Sequence, residues 1–321
     1  MEPQSRKSRT RRILKRMLAL VLILVLAGFV TTRVLVARAE ARFPQLGKFI
    51  EVDGARHHYI DQGQGSPIVF VHGAFGASQD FVATIFPALS KRYRCIAWDR
   101  PGHGYSERNG DSLDPGAQAR ILFDFVDALE FDEPPLLVGF SYGGAVVLSA
   151  GLIEPESVRG VVLLNGPSHP WPDPLDFQYQ LPTVPVLGPL AVETLLMPFG
   201  LLVSDLSVEA AFSPRPIEER FKQSSPVALS LRPASYRANA EDIRLLKPFL
   251  RAQSEHYESY AAPLTLIVAE GDTVVSPTIH SPALVEAVPE ARMIRLENAG
   301  HQILYTHTDV VIETVDEAMG R

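Results

Sequence analysis

Ser141 stands in the run "LLVGFSYGGAVVLSAG" (Leu136–Gly151), with Gly139 two residues before it and Gly143 and Gly144 just after it. A strand ending at Phe140 and a helix starting near Tyr142 would force a sharp turn at the serine. In such a turn the backbone is strained, and side chains at 139 and 143 would collide with neighbouring main chain. The hydroxyl then projects from the strand end, with the helix N-terminus behind it. A serine hydroxyl is a weak nucleophile at neutral pH. It needs a base, an acid to orient that base, and donors for the oxyanion that forms. His301 in "ENAGHQ" and Asp272 in "AEGDTVV" each follow an apolar run of strand type, and the chain order Ser, Asp, His suits the arrangement. "HGAFG" (His72–Gly76) follows another such run. Its Ala74 N–H, with that of Tyr142, is placed to bind developing negative charge.

The remaining titratable groups read more plainly. His72 and His103 lie beside glycines in loops and read as structural. His57 and His58 are adjacent in a strand, so they face opposite ways and form no paired site. His169, His256, His280 and His307 read as solvated or as residues of an inserted segment. Asp99 in "WDRPGHG" reads as fixing its own loop, and Asp242 in "RANAED" as a docking residue for that segment. The single cysteine, Cys95, permits no intramolecular disulfide and no cysteine-based zinc site, and reads as a small buried hydrophobe. No cofactor motif or metal-spaced histidine pair is present, so the expectation is no cofactor and no metal.

These groups need a scaffold. "KFIEVDG" and "ARHHYID" alternate about Asp53-Gly54, which reads as a hairpin. "PIVFVH", "RCIAWD", "PLLVGF", "VRGVVLLN", "PLTLIVAEGD" and "ARMIRLENAGH" read as strands, the most apolar of them buried on both faces. Helical sequence falls between them: near Gln79–Ser90, from an Asp114 N-cap with Pro115 at the first position to about Leu129, and from Tyr142 to about Ile153. This alternation predicts an α/β fold with a mostly parallel sheet flanked by helices. From Pro167 to Ser259 the alternation stops. That stretch is rich in proline and in leucine-bearing helical pieces, and about ninety residues of bare loop would be out of place in a compact domain. The prediction is an inserted helical cap over 167–259, between core segments 47–166 and 260–321.

The chain has 321 residues, 46% hydrophobic, and a formal net charge of −7. Residues 1–16 hold seven basic side chains against Glu2, a local charge of +6, which leaves −13 for the rest. An acidic body lacks the basic face that nucleic acid requires. After the basic tail comes "MLALVLILVLAGFV" (Met17–Val30), and counting on to Ala37 gives a length that crosses a bilayer if Arg33 snorkels. The expectation is a single-pass membrane anchor over 17–37, joined by a linker over 38–46. The N-terminus would stay cytoplasmic and the body would be exported to the periplasmic or extracellular side. A cleaved signal peptide, with Ala37-Arg38-Ala39 as its small-x-small site, is the competing reading, followed by a buried soluble helix.

"HGAFG", "DRPGHGYS" (Asp99–Ser106), "GFSYGG", "EGDTVV" and "NAGH" occur together in this order, each at a predicted strand end. From Gly47 onward the chain thereby resembles the serine hydrolases of the α/β-hydrolase superfamily. The resemblance implies an α/β-hydrolase fold with Ser141 as nucleophile, His301 as general base then acid, and Asp272 as its orienting carboxylate. It implies an oxyanion hole from Ala74 and Tyr142, with Phe75 a weaker contributor. The activity it implies is hydrolysis of a carboxylic ester through an acyl-enzyme. The apolar cap and the anchor point to a hydrophobic small-molecule or lipid ester. Carbon–carbon bond hydrolases, perhydrolases and aminopeptidases of the superfamily share the triad, and a non-catalytic ligand-binding protein on the same scaffold is a further class. Similar dehalogenases and epoxide hydrolases use a carboxylate nucleophile, which a serine at 141 disfavours.

Overall fold

The computed structural model describes residues 3–52, 54–110 and 113–320. Asp53, the first residue of the expected hairpin turn, lies outside them. The short runs without polar side chains become strands with both faces covered: β3 (Pro67–Val71), β5 (Leu136–Phe140), β6 (Gly160–Leu164) and β7 (Leu264–Ala269) are buried throughout. With β1 (Lys48–Val52), β2 (Ala55–Gln62), β4 (Arg94–Trp98) and β8 (Arg292–Leu296) they form one eight-stranded sheet in the order β1-β2-β4-β3-β5-β6-β7-β8. The β1–β2 and β2–β4 pairs are antiparallel and every other pair is parallel. This is the mostly parallel sheet flanked by helices that the strand–helix alternation predicts, in the α/β-hydrolase arrangement that the resemblance implies. The edge strands β1 and β8 are partly exposed, as half-covered positions must be.

Each face of the sheet has its own apolar core. On one, the helices Pro115–Asp127 and Tyr142–Ile153 pack Leu122, Phe125, Val146 and Val147 against β3, β4 and β5. On the other, Phe81, Phe86 and the Thr308–Met319 helix cover Ile68, Phe70, Val138 and Val162. Asp114 caps its helix as its type and place require, its carboxylate accepting from the Ala117 N–H at 2.8 Å. The helical stretch expected near Gln79–Ser90 is two short helices, Gln79–Val82 and Phe86–Leu89. Pro87, in the first turn of the second, has no N–H to continue the first. Cys95 is buried on β4, and burial pushes its thiol up to about 12, so it packs as a hydrophobe.

Between β6 and β7 the chain is helical, with no strand among the described residues. Its two long pieces are the 26-residue apolar helix Leu187–Phe212 and the helix Pro233–Ser254. The first widens into a π turn over Val192–Leu196, which ends two residues before Pro198, whose ring cannot follow a regular α turn.

The N-terminal region is simpler than its sequence divisions. The basic tail, the apolar run and most of the linker form one helix, Pro3–Arg42, because nothing in them breaks a helix before Phe43-Pro44. Its C-terminal half joins the fold. Ala39 and Phe43 are buried with Met197, Leu229, Leu231 and Tyr236 of the inserted segment. A Cβ on Gly28 would lie 2.8 Å from the Thr194 carbonyl oxygen, so the two backbones cross in close contact. Arg33 does not snorkel freely, since its guanidinium pairs with Glu193.

Candidate active site

Ser141 terminates β5 with φ 53° and ψ −122°, a left-handed conformation that a serine adopts only where its surroundings hold it. Those surroundings are backbone. A Cβ on Gly143 would lie 2.1 Å from the Val71 carbonyl oxygen, and one on Gly139 would lie 2.4 Å from that of Gly143. The glycines around the serine are therefore what lets β3, β5 and the following helix meet at one point. The Ser141 N–H donates to the Leu164 carbonyl at 2.9 Å, pinning the turn to β6.

Residues from three distant parts of the chain converge here. His301 Nε2 lies 2.9 Å from Ser141 Oγ, and His301 Nδ1 lies 2.7 Å from Asp272 Oδ2. All three side chains are buried. The other carboxylate oxygen of Asp272 accepts from the N–H groups of Val274 at 2.7 Å and Val275 at 2.9 Å, so the acid is fixed at both ends. A hydroxyl, an imidazole and a carboxylate in this line can pass a proton from the first to the second while the third keeps the ring oriented.

The "HGAFG" loop runs beside the serine. A Cβ on Gly73 would lie 2.8 Å from Ser141 Cβ. The Ala74 N–H has no protein acceptor among the described residues, and the Tyr142 N–H, first in its helix, has none within the helix. Phe75 is different: its N–H donates to Asn239 Oδ1 at 2.8 Å and is already engaged.

Several supporting residues carry no sequence motif. Asn239, on the Pro233–Ser254 helix, reaches across to hold the loop at Phe75. Asn165, just past β6, accepts from the Ala269 N–H at 2.8 Å and donates to the His301 carbonyl at 3.0 Å, bracing the histidine loop. Arg100 is fully buried. It donates to the His72 carbonyl at 3.0 Å and the Gly73 carbonyl at 3.2 Å, stacks over the Tyr142 ring at 4.3 Å, and pairs with Asp242. Asp242 also takes Arg108 at 3.0 Å, which makes it a joint between the inserted segment and the loops below it. A buried guanidinium appears in sequence only as one more arginine, which is why this joint is legible there from its acid alone.

The other histidines sort by burial. His72 and His103 are held well below the ordinary histidine range by burial and then by the Arg100 charge, so both are neutral props of this network. His57 and His58 point to different partners: the Trp98 indole donates to His57 at 3.3 Å, while His58 sits 2.7 Å from Asp99. Asp99 does more than fix its own loop. It also accepts from the Ser78 N–H at 2.7 Å, tying the loop after β4 to the one after β3. His280 corrects the sequence reading. It is neither solvated nor part of the inserted segment, but begins the His280–Ala287 helix and is buried against Ser168. Burial takes its pKa down to about 4. Among the described residues no cluster of three His, Cys, Asp or Glu side chains could hold a metal ion.

A sequence profile of the alpha/beta hydrolase fold matches residues 66–308. The chain is 27% identical over 285 residues to haloalkane dehalogenase 2 of Mycobacterium tuberculosis, covering 87% of this chain and 96% of that protein. It is 31% identical over 120 residues to the 2-hydroxy-6-oxo-6-(2'-aminophenyl)hexa-2,4-dienoic acid hydrolase of Metapseudomonas resinovorans, covering 37% of this chain and 41% of that one. Among solved structures, a bacterial membrane phospholipase A superposes with a TM-score of 0.66 at 19% identity, over 97% of this chain and 100% of that one. At that identity the likeness is one of fold.

Proposed function

This chain belongs to the alpha/beta hydrolase fold family, and from that premise we propose that it is a serine hydrolase cleaving a carboxylic ester of a hydrophobic acyl group. The observation that carries the reading is the hydrogen-bonded line Ser141–His301–Asp272 beside the Ala74 and Tyr142 N–H groups. In this reading Ser141 Oγ attacks the ester carbonyl as its proton passes to His301 Nε2. The oxyanion is held by the two N–H groups, and the alkoxide leaves with the proton from His301. Water then gives a proton to His301 and attacks the acyl-serine, and the acid departs as Ser141 recovers its proton. Asp272 stays ionised and steadies the imidazolium.

Dehalogenation, the activity named for the matched mycobacterial relative, does not suit a serine. Displacing a halide from carbon with a hydroxyl would leave an alkyl ether, which water cannot release as it releases an acyl ester. Carbon–carbon bond hydrolysis is the second reading, supported by the local match to the dienoic acid hydrolase. A panel of p-nitrophenyl esters, a vinylogous diketone and a prolyl amide separates the readings. Ester hydrolysis should dominate and favour longer acyl chains, and Ser141→Ala or His301→Ala should lower turnover by about 10⁶ with the fold retained. Preference for the diketone or the amide overturns the ester assignment. Failure of a fluorophosphonate probe to label Ser141 overturns the catalytic one.

The N-terminal helix reads as a retained, membrane-spanning anchor with its basic end in the cytoplasm and the catalytic body on the other side. Retention is supported by contacts on the N-terminal side of the Ala37-Arg38-Ala39 cleavage site: Gly28 packs against the Thr194 backbone, Arg33 pairs with Glu193, and Leu35, Val36 and Ala39 pack with the inserted segment. Cleavage near Ala39 would remove part of a packed interface. Protease treatment of intact cells checks the topology, and a body that stays protected refutes export.

A further inference from the structure

We infer that the inserted helical segment is itself sunk into the bilayer beside the N-terminal helix, its exposed apolar face lying in the hydrocarbon. This rests on the N-terminal helix being a membrane span.

The argument begins with register along that helix. Arg16 and Arg38 bracket the apolar stretch and stand about 33 Å apart along the axis, close to the ~30 Å hydrocarbon thickness of a bilayer. Arg33 is the sole charge between them. The inserted segment does not meet the helix beyond Arg38 alone. It meets it at Gly28, which touches the Thr194 backbone, and at Leu22 and Leu26, which share a groove with Val186 and Leu190. Gly28 lies about 18 Å past Arg16, well inside the apolar stretch. If residues 17–37 fill the hydrocarbon, side chains in contact with residues 22–28 lie within it, whatever the tilt of the span.

The face turned outward at that depth is of the right kind. Leu195, Phe199, Leu202 and Leu206 fall at intervals of four, three and four residues, one stripe of the Leu187–Phe212 helix. They are 61%, 61%, 79% and 70% exposed, and Val186 is 81% exposed. A water-facing helix shows its polar stripe, so an apolar stripe turned away from the protein calls for an apolar solvent. Charge agrees. From Leu187 to Ser204 the one ionisable side chain is Glu193, and it pairs with Arg33 of the N-terminal helix and lies 3.8 Å from Arg237. A carboxylate and a guanidinium at membrane depth are tolerable when they satisfy each other. Past the outer end of the stretch, Glu40 meets Arg232 at 2.8 Å, where headgroups and water begin.

The test uses single cysteines, for which the chain is well suited because its one native thiol, Cys95, is fully buried and serves as the unlabelled blank. Full-length Leu202→Cys, Leu18→Cys and Asp132→Cys proteins are reconstituted in phosphatidylcholine vesicles. They are treated with a water-soluble maleimide, and in parallel with an environment-sensitive fluorophore and lipids bearing a nitroxide on the acyl chain. Asp132, exposed on the core far from the inserted segment, should label fast and show no quenching. Positions 202 and 18 should label at least an order of magnitude more slowly, with blue-shifted emission quenched by the nitroxide lipids. Fast labelling at 202 with slow labelling at 18 overturns the inference and leaves the span intact. Fast labelling at both overturns the span. Slow labelling at 202 without lipid quenching, relieved on dilution into excess lipid, assigns the face to a second copy of the chain and overturns the inference.

Discussion

At the scale of single residues, the strained backbone of Ser141 is stabilised by atoms that cannot move. The carbonyls of Val71 and His72 close on Gly143, and the Cα of Gly166 closes on Gly144, so each glycine stands where a methyl group has no room. Gly143→Ala should therefore destabilise the protein by about 3 kcal/mol or more, since relief would require strand β3 to shift. Urea unfolding measures this, and a loss below about 0.5 kcal/mol would mean that the elbow is less constrained than its contacts indicate. The glycine pattern is readable in sequence because a fixed steric demand leaves a fixed residue type. Asn239 and Asn165 are not readable in that way. An asparagine that accepts one backbone N–H leaves no periodicity, and only the meeting of distant segments gives it a task.

At the scale of elements, the inserted helices are joined to the core by a few buried polar groups and also by the N-terminal helix. Asp242 faces Arg100 and Arg108 without solvent. Asp242→Ala would leave the Arg100 guanidinium buried without its counter-charge, an expected loss of about 3–5 kcal/mol in unfolding free energy. Asn239→Leu acts differently, because it removes the acceptor of the Phe75 N–H while leaving the ion pair. It should lower kcat more than it alters KM, the mark of a loop that positions oxyanion donors rather than binds substrate. An unchanged kcat would assign Asn239 a packing role alone. The strands that hold this joint were legible from short apolar runs such as "PLLVGF" and "VRGVVLLN". The single helix expected near Gln79–Ser90 was not, because Pro87 divides a stretch whose apolar pattern is otherwise continuous.

At the scale of the molecule, burial of neutral histidines sets a pH dependence. His72 and His103 lie well below the usual 6.5 and His280 at about 4, so between about pH 4 and 6.5 the unfolded chain binds more protons than the folded one. Stability is then full above 6.5 and falls as pH drops, by about 2 kcal/mol at pH 5 from His280 alone, with His72 and His103 acting in the same direction. Asp80, raised to about 6 by burial, works in the opposite sense, gaining as pH falls through 6, and is one group against five histidines held low by burial, since His169 and His307 are also lowered. Urea midpoints should thus be lower at pH 5 than at pH 7.5, and equal midpoints would contradict the burial of these rings. The sequence by itself determined the sheet, the serine elbow, and Asp272 and His301 as its candidate partners, because strand burial and tight turns leave local marks in residue type and spacing. Tertiary structure alone decided that Arg100 underlies Tyr142, that His280 is internal, and that the N-terminal helix packs along the inserted segment. Each of these depends on which remote surfaces meet, and a contact between residues far apart in the chain imposes no pattern on either neighbourhood.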